Sequence, residues 1–290
     1  MSVRIISGKD AAFFIKNSVK QEIENSDSDI SINLVVIQVG NDTASQTYIR
    51  NKQRACEYVG INVTTHYFEN DVSQKTLEDF ICNLNNDDSV NGILVQLPLP
   101  MHLEVQNIIE KIAPEKDVDG FTFINAGKLA RDSYYHDYMV PCTPMGIMKL
   151  LQHHCIDVFG KHCVIVGRSN IVGKPMAELL LNNNATVTVC NSYTNNLKDI
   201  CKTADILVCA TGTPKMFDSG YIKDGAVVID VGMNRDENGK LCGDVYFDDV
   251  NMNCDNVLLT PVPGGVGPMT VASLMLNCMN AYKIQNKDNM

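Results

Sequence analysis

No two cysteines stand at Cys-x-x-Cys spacing in these 290 residues, and no two histidines at His-x-x-x-His spacing. Those absences remove the compact zinc and thioredoxin-like signatures, and no resident metal is expected. The eleven cysteines, an odd number, are scattered from Cys56 to Cys278. Cys163, Cys190 and Cys209 fall inside apolar, strand-like runs, where cysteine behaves as a small buried hydrophobe. A disulfide framework is therefore not expected, and the usage fits a reducing, cytoplasmic compartment. Long apolar runs are missing too. None approaches the ~18 residues of a membrane span, and the first ten residues lack the apolar stretch of a secretory signal. Positive charge is scarce: 24 Lys and Arg stand against 34 Asp and Glu, for a net charge of −10. Neither nucleic acid nor a membrane is an expected partner, and an anionic ligand must be caught by local groups.

What is present is an ordinary globular composition, 45% hydrophobic and 20% charged, in a chain long enough for two modest cores. Short apolar, β-branched runs alternate with helical patterns, which signals an α/β design with parallel sheets. In the first half, Ile32–Val39, Val63–Phe68 and Gly92–Gln96 read as strands. Helices are expected near Lys9–Ile23, from Ser45 onward, and near Ser73–Leu84, the last with Leu77, Phe80, Ile81 and Leu84 on one face. The aromatic and polar segment Tyr134–Thr143, punctuated by Pro141 and Pro144, marks a domain junction. Beyond it, Cys163–Val166, Thr186–Val189, Ile206–Cys209, Ala226–Asp230 and Val257–Thr260 read as strands of a doubly wound, Rossmann-like sheet. The expected division is a catalytic domain over residues 1–141, a nucleotide-binding domain over 142–268, and a largely apolar last helix over 269–290 that packs back on the first domain.

A lysine interrupts the inward stripe of the helix beginning near Ser45. Tyr48, Lys52, Ala55, Cys56 and Val59 share that stripe, with Ser45 one turn further back. Such an amine either snorkels to the rim or faces a cleft that strips part of its water. Gln96 ends the strand Gly92-Ile-Leu-Val-Gln96 before Leu-Pro-Leu-Pro. That is where ligands gather in open parallel sheets, although loop backbone can also occupy a glutamine there. Asp117-Val118-Asp119-Gly120 forms an acidic turn, either a weak magnesium pattern or a plain Asx-turn.

After Cys163–Val166 comes Gly167-Arg168-Ser169-Asn170-Ile171-Val172-Gly173-Lys174-Pro175, then an amphipathic helix expected over Met176–Leu181. A strand, a glycine turn and a helix N-terminus together can hold a pyrophosphate on unpaired N–H groups. Ser169 replaces the second glycine of the usual dinucleotide motif. Arg168 offers a guanidinium to a phosphate. The acidic residue that would bind a free ribose hydroxyl is missing, because the second strand runs into the neutral Asn191-Ser192-Tyr193-Thr194. NADP is thereby favoured over NAD. Pro261-Val-Pro263-Gly264-Gly265-Val266-Gly267-Pro268 leads into the last helix, either as a tight connection or as a loop whose backbone approaches a ligand closely.

Together these segments resemble the bifunctional methylenetetrahydrofolate dehydrogenase / methenyltetrahydrofolate cyclohydrolase family over nearly the whole chain. The carrying motifs are Ser45-x-x-Tyr48-x-x-x-Lys52, Val95-Gln96-Leu-Pro-Leu-Pro100, Lys116-Asp117-Val-Asp119-Gly120, Pro141-Cys-Thr-Pro144, Gly167-Arg-Ser169, Val228-Ile-Asp-Val-Gly232 and Pro263-Gly-Gly-Val-Gly-Pro-Met-Thr270. The resemblance implies that Lys52 is the key catalytic residue, held by Gln96, and that Asp119 hydrogen-bonds the pterin of a tetrahydrofolate substrate. It implies that Tyr48 stacks on the aminobenzoyl ring, with Ser45, Pro263 and Gly264 also on the substrate side. Gly167, Arg168, Ser169, Gly173, Ser192 and Met233 would lie at the nucleotide. A homodimer joined through the cofactor domain is implied as well, with folate in the cleft between domains. One departure stands out: Tyr193 occupies a place where the family commonly carries Arg or Lys, so NAD stays possible. A shikimate-type dehydrogenase or a non-catalytic NADP sensor would be the rival readings, but neither needs a tyrosine four residues before the lysine together with the Pro263–Thr270 loop.

Overall fold

The computed structural model describes residues 3–26, 30–41, 43–131 and 137–287, without the side chains of residues 43–45 and 47. The first half runs β1 (Arg4–Ile5), α1 (Gly8–Glu24), β2 (Asn33–Val39), α2 (Thr43–Val59), β3 (Asn62–Phe68), α3 (Gln74–Asn85), β4 (Gly92–Val95), α4 (Val105–Ile109) and α5 (Phe123–Arg131). The second half runs α6 (Cys142–His153), β5 (His162–Val166), α7 (Gly173–Asn182), β6 (Thr186–Cys190), α8 (Leu197–Cys201), β7 (Ile206–Cys209) and β8 (Val227–Asp230). It ends with β9 (Asn234–Arg235), β10 (Leu241–Cys242), α9 (Phe247–Asn253), β11 (Leu258–Leu259) and α10 (Val266–Gln285).

The chain divides into two compact units. One comprises Phe13–Arg131, Tyr135–Cys142 and Val271–Met290, and is built on a parallel sheet in the order β3-β2-β4. In β2 every residue after Asn33 is buried, because both faces of the sheet are covered. Leu34, Val36 and Leu94 pack on one face with Ile49, Ala55, Cys56 and Val59 of α2. Val35, Ile37, Ile93 and Val95 pack on the other with Leu77 and Ile81 of α3. Full burial of such a side chain contributes about 1.5–3 kcal/mol. Helix α3 starts where its cap predicts, with the Ser73 hydroxyl accepting from the Thr76 N–H. In the last helix, Leu274, Met275, Cys278, Met279 and Ala281 are part of the core of this unit.

The other unit comprises Met1–Ala12 and Thr143–Thr270, with Asp132–Tyr134. Its sheet has six strands in the order β1-β11-β8-β7-β5-β6, all parallel. The order reverses direction at β5, as in doubly wound nucleotide-binding folds. Here the N-terminus departs from the expected division. Arg4 and Ile5 pair with Leu258 and Leu259 of β11, so the first residues belong to the larger sheet. Two-residue strands carry no alternation that a sequence pattern can register. Helix α7 begins at Gly173, one turn earlier than expected, because Pro175 is tolerated in a first helical turn. Residues 132–136 of the expected junction lie outside the described residues. Among the described residues, no helix is long and apolar enough to cross a membrane.

Candidate active site

In the three-stranded unit the site grows out of strand register. Val36 pairs with Leu94 across β2 and β4, and both face α2. Gln96 lies two residues beyond Leu94 and so emerges on that same face, while its backbone N–H extends the ladder to the Ile37 carbonyl at 2.8 Å. Helix α2 crosses this face and brings down its one stripe lysine. Lys52 Nζ donates to Gln96 Oε1 at 3.0 Å, and Gln96 Nε2 donates to the Leu97 carbonyl at 2.8 Å. The second bond fixes which way the amide points, so the oxygen must face the amine. Lys52 is half-buried. Its charge is anchored without a carboxylate in the contact. Tyr48, one turn earlier on α2, is also half-buried, and burial raises its phenol above the ordinary range. The Ser45 side chain lies outside the described residues.

Asp119 sits near this amine on a turn whose other charged members are structural. Lys116 Nζ is buried and donates to three carbonyls, those of Leu84, Asn85 and Asp87. The Asp117 carboxylate accepts from the Thr122 N–H at 2.8 Å and from Asn125 Nδ2 at 2.9 Å. Both leave Asp119 as the half-buried acid of the segment. Burial raises its carboxyl above the usual aspartate range, and the positive charge of Lys52 acts in the opposite direction. The Cys142 thiol is shared between the Val118 carbonyl at 3.4 Å and Asp119 Oδ1 at 3.7 Å. Burial pushes that thiol well above its ordinary range, so it stays protonated as a donor. From α10, Asn277 Nδ2 reaches the carbonyls of Val118 at 2.7 Å and Val140 at 2.8 Å. Sequence reasoning missed Asn277 as a support; the available signal was an amide set among the apolar Leu274, Met275, Leu276, Cys278 and Met279.

The remaining predicted residues lie in the six-stranded unit. Gly167 adopts φ +134°, and a Cβ there would stand 2.2 Å from the Ala210 carbonyl oxygen. A Cβ on Gly173 would meet the Gly167 carbonyl oxygen at the same 2.2 Å. The loop thus closes on itself only with glycine at both places. Ser169 Oγ accepts from the N–H groups of Val172 at 3.2 Å and Gly173 at 3.4 Å, and its carbonyl accepts from Lys174 N–H at 3.0 Å. This corrects one expectation. These N–H groups at the start of α7 are satisfied by Ser169 rather than left unpaired, so Ser169 is first of all the cap of that helix. Arg168 is exposed and its guanidinium lies 5.8 Å from the ring centroid of Tyr193. Ser192, after β6, and Met233, after β8, are both exposed, with β5 and β7 lying between those two strands in the sheet. Pro263 is exposed, whereas Gly264 is buried and its carbonyl accepts from the Gly8 N–H at 2.9 Å. Among the described residues, no group of three or more His, Cys, Asp or Glu side chains could hold a metal ion.

Such an arrangement defines a two-part α/β enzyme: a Rossmann-like nucleotide unit, and a separate unit carrying a hydrogen-bonded lysine at the end of a parallel strand. Residues 6–119 match the family model described as tetrahydrofolate dehydrogenase/cyclohydrolase, catalytic domain. Residues 141–286 match that of the same family's NAD(P)-binding domain. The chain therefore belongs to the tetrahydrofolate dehydrogenase/cyclohydrolase family. It is 52% identical to the bifunctional protein FolD of Agathobacter rectalis over 96% of this chain and 99% of that one. It is also similar to the crystal structure of the bifunctional enzyme FolD, methylenetetrahydrofolate dehydrogenase/cyclohydrolase, from Campylobacter jejuni. There the TM-score is 0.93 at 43% identity, covering 100% of both chains. A Trypanosoma brucei methylenetetrahydrofolate dehydrogenase-cyclohydrolase complexed with NADP cofactor and inhibitor gives a TM-score of 0.91 at 36% identity over 98% of each chain.

Proposed function

We propose that the chain oxidises methylenetetrahydrofolate to methenyltetrahydrofolate with NADP, and then hydrolyses that product to formyltetrahydrofolate, as a step of one-carbon metabolism. The observation that carries this reading is the 3.0 Å hydrogen bond from Lys52 to Gln96, with Tyr48 one turn away on α2 and the Asp119 carboxyl within the electrostatic reach of the same amine. When bound, NADP accepts the hydride released by the bridging methylene carbon. The adjacent folate nitrogens stabilise the cation that results, so this step requires positioning rather than a base. Tyr48 would supply a ring for the aminobenzoyl group, and Asp119 an acceptor for the pterin. Gly167, Arg168, Ser169, Gly173, Ser192 and Met233 would hold the nucleotide, with Arg168 at the 2′-phosphate. The tight Gly167–Gly173 loop fits that role, because it lets backbone lie where a side chain would otherwise stand.

Hydrolysis differs in needing proton movement. Water attacks the methenyl carbon and loses a proton, the carbon–nitrogen bond breaks, and the departing ring nitrogen gains one. A single amine can serve both transfers. Lys52 takes the proton from water in its neutral form and returns one from its charged form, while Gln96 keeps the nitrogen aimed. Ser45, Pro263 and Gly264 complete the substrate side of this reading. The enzyme would act in the cytoplasm, as a homodimer joined through the nucleotide unit.

The test is turnover. Purified protein given methylenetetrahydrofolate with NADP, or with NAD, is followed for reduced nucleotide and for formyltetrahydrofolate together. Both products should appear, and faster with NADP. If neither nucleotide is reduced while binding is intact, the chain is a sensor and the proposal is wrong.

A further inference from the structure

Two buried aspartates in the six-stranded unit have no part in the scheme above. Asp230 ends β8 and Asp244 follows β10; they are 4% and 0% exposed. Asp230 accepts from three backbone N–H groups, those of Gly232 at 3.0 Å, Asp244 at 2.9 Å and Val245 at 3.0 Å. Asp244 then reaches back towards the strand ends. One of its oxygens accepts from the Thr211 N–H at 2.6 Å, the Thr211 hydroxyl at 3.0 Å and the Gly212 N–H at 3.0 Å. The other accepts from Asn234 Nδ2 at 2.8 Å.

Three of these partners lie just after strands of the parallel sheet, and a fourth, Asn234, opens β9. Thr211 and Gly212 follow β7; Gly232 and Asn234 bracket Met233 after β8. Strands β7 and β8 are neighbours in the parallel sheet, and their C-terminal ends are where such sheets bind nucleotides. Two glycines show how little slack remains. A Cβ on Gly232 would stand 2.2 Å from Asp244 Oδ1, and one on Gly243 1.8 Å from Asp230 Oδ2. Met233, 44% exposed, is thus flanked by Gly232, whose N–H is held by Asp230, and by Asn234, whose side-chain amide is held by Asp244.

We propose that Asp244 is a positioning residue for the nucleotide, fixing the loop after β7 and the Met233 loop after β8 as a single preorganised surface. The inference rests on the function proposed above. Four hydrogen bonds to a buried carboxylate hold geometry more firmly than neutral pairs would. Loops held before the ligand arrives need no ordering when it binds.

The test separates nucleotide binding from hydrolysis, which uses Lys52 in the other unit and no nucleotide. Asp244→Asn puts an NH2 group where acceptors are needed. It should raise the KM for NADP by about tenfold or more, while hydrolysis of added methenyltetrahydrofolate stays within about twofold of wild type. Asn234→Ala removes one of the four bonds and leaves the carboxylate. It should shift the KM for NADP in the same direction by about threefold, and it decides the matter if Asp244→Asn fails to fold. The proposal is overturned if wild type turns over and the KM for NADP in the variants stays unchanged. Equal loss of both activities in Asn234→Ala would also overturn it, since that marks a general structural role. A wild-type protein that reduces no nucleotide would instead count against the function itself.

Discussion

In the three-stranded unit Lys52 and Asp119 stand half open, while Lys116 and Asp117 are buried among their partners. Lys52 leans on one amide oxygen, and Asp119 on a thiol. In the six-stranded unit Asp230 and Asp244 are sealed, and most of their partners are backbone N–H groups. The first pair is left open to an approaching substrate; the second is taken up by hydrogen bonds between loops. That is the division expected of a chain whose hydrolytic step moves protons and whose hydride step only needs two flat rings aligned.

The sharpest break in this comparison comes from removing the amine. Lys52→Met should lower hydrolysis of methenyltetrahydrofolate by at least about a hundredfold, with NADP binding by calorimetry preserved. Undiminished hydrolysis would take Lys52 out of the mechanism. The reciprocal change is Gly167→Ala, which places a methyl 2.2 Å from the Ala210 carbonyl oxygen at φ +134°. Strain of about 1–3 kcal/mol should open the loop and weaken NADP binding by about tenfold or more, while hydrolysis persists. Loss of hydrolysis in that variant would show that the two units do not divide the labour. The smallest effect concerns pH. Burial pushes the Asp230 carboxyl up to about 7, with three backbone N–H groups pulling the other way, against about 3.9 when unfolded. Between those values the folded form holds a proton that the unfolded chain lacks. Its stabilising contribution is full below about 3.9 and is lost as pH rises through about 7. The melting temperature of the nucleotide unit should therefore decline modestly from about pH 5 to about pH 8, and the decline should be absent in Asp230→Asn. An identical slope in that variant would remove Asp230 as its source.

Much of the site in the three-stranded unit was legible because it follows from periodicity. A stripe at helical spacing put Lys52 on the inward face, and a strand ending in a polar residue put Gln96 at the ligand edge. The Lys52–Gln96 contact spans 44 positions, yet each partner was visible by itself. Other features left no local mark. β1 is two residues long, and Asn277 meets Val118 across 159 positions. Ser169 could be taken for a substituted glycine of a phosphate loop, although its hydroxyl caps the helix. Nothing in the sequence marks Asp230 and Asp244 as loop-holding acids, since most of their partners are backbone groups that no composition reveals. Tyr193 stood out by residue type alone; the nearby Arg168 guanidinium became visible only in three dimensions.

The amide of Asn277 holds the carbonyl of Val118, the residue just before Asp119. During synthesis, then, the lysine-bearing half must wait. A ribosome that stalls before adding α10 yields a polypeptide whose acidic turn lacks the Asn277 amide and whose core lacks Leu274, Met275 and Cys278. Products that stop short of α10 should be recognised by proteases as unfinished, and catalytic competence should arrive only once α10 has been translated.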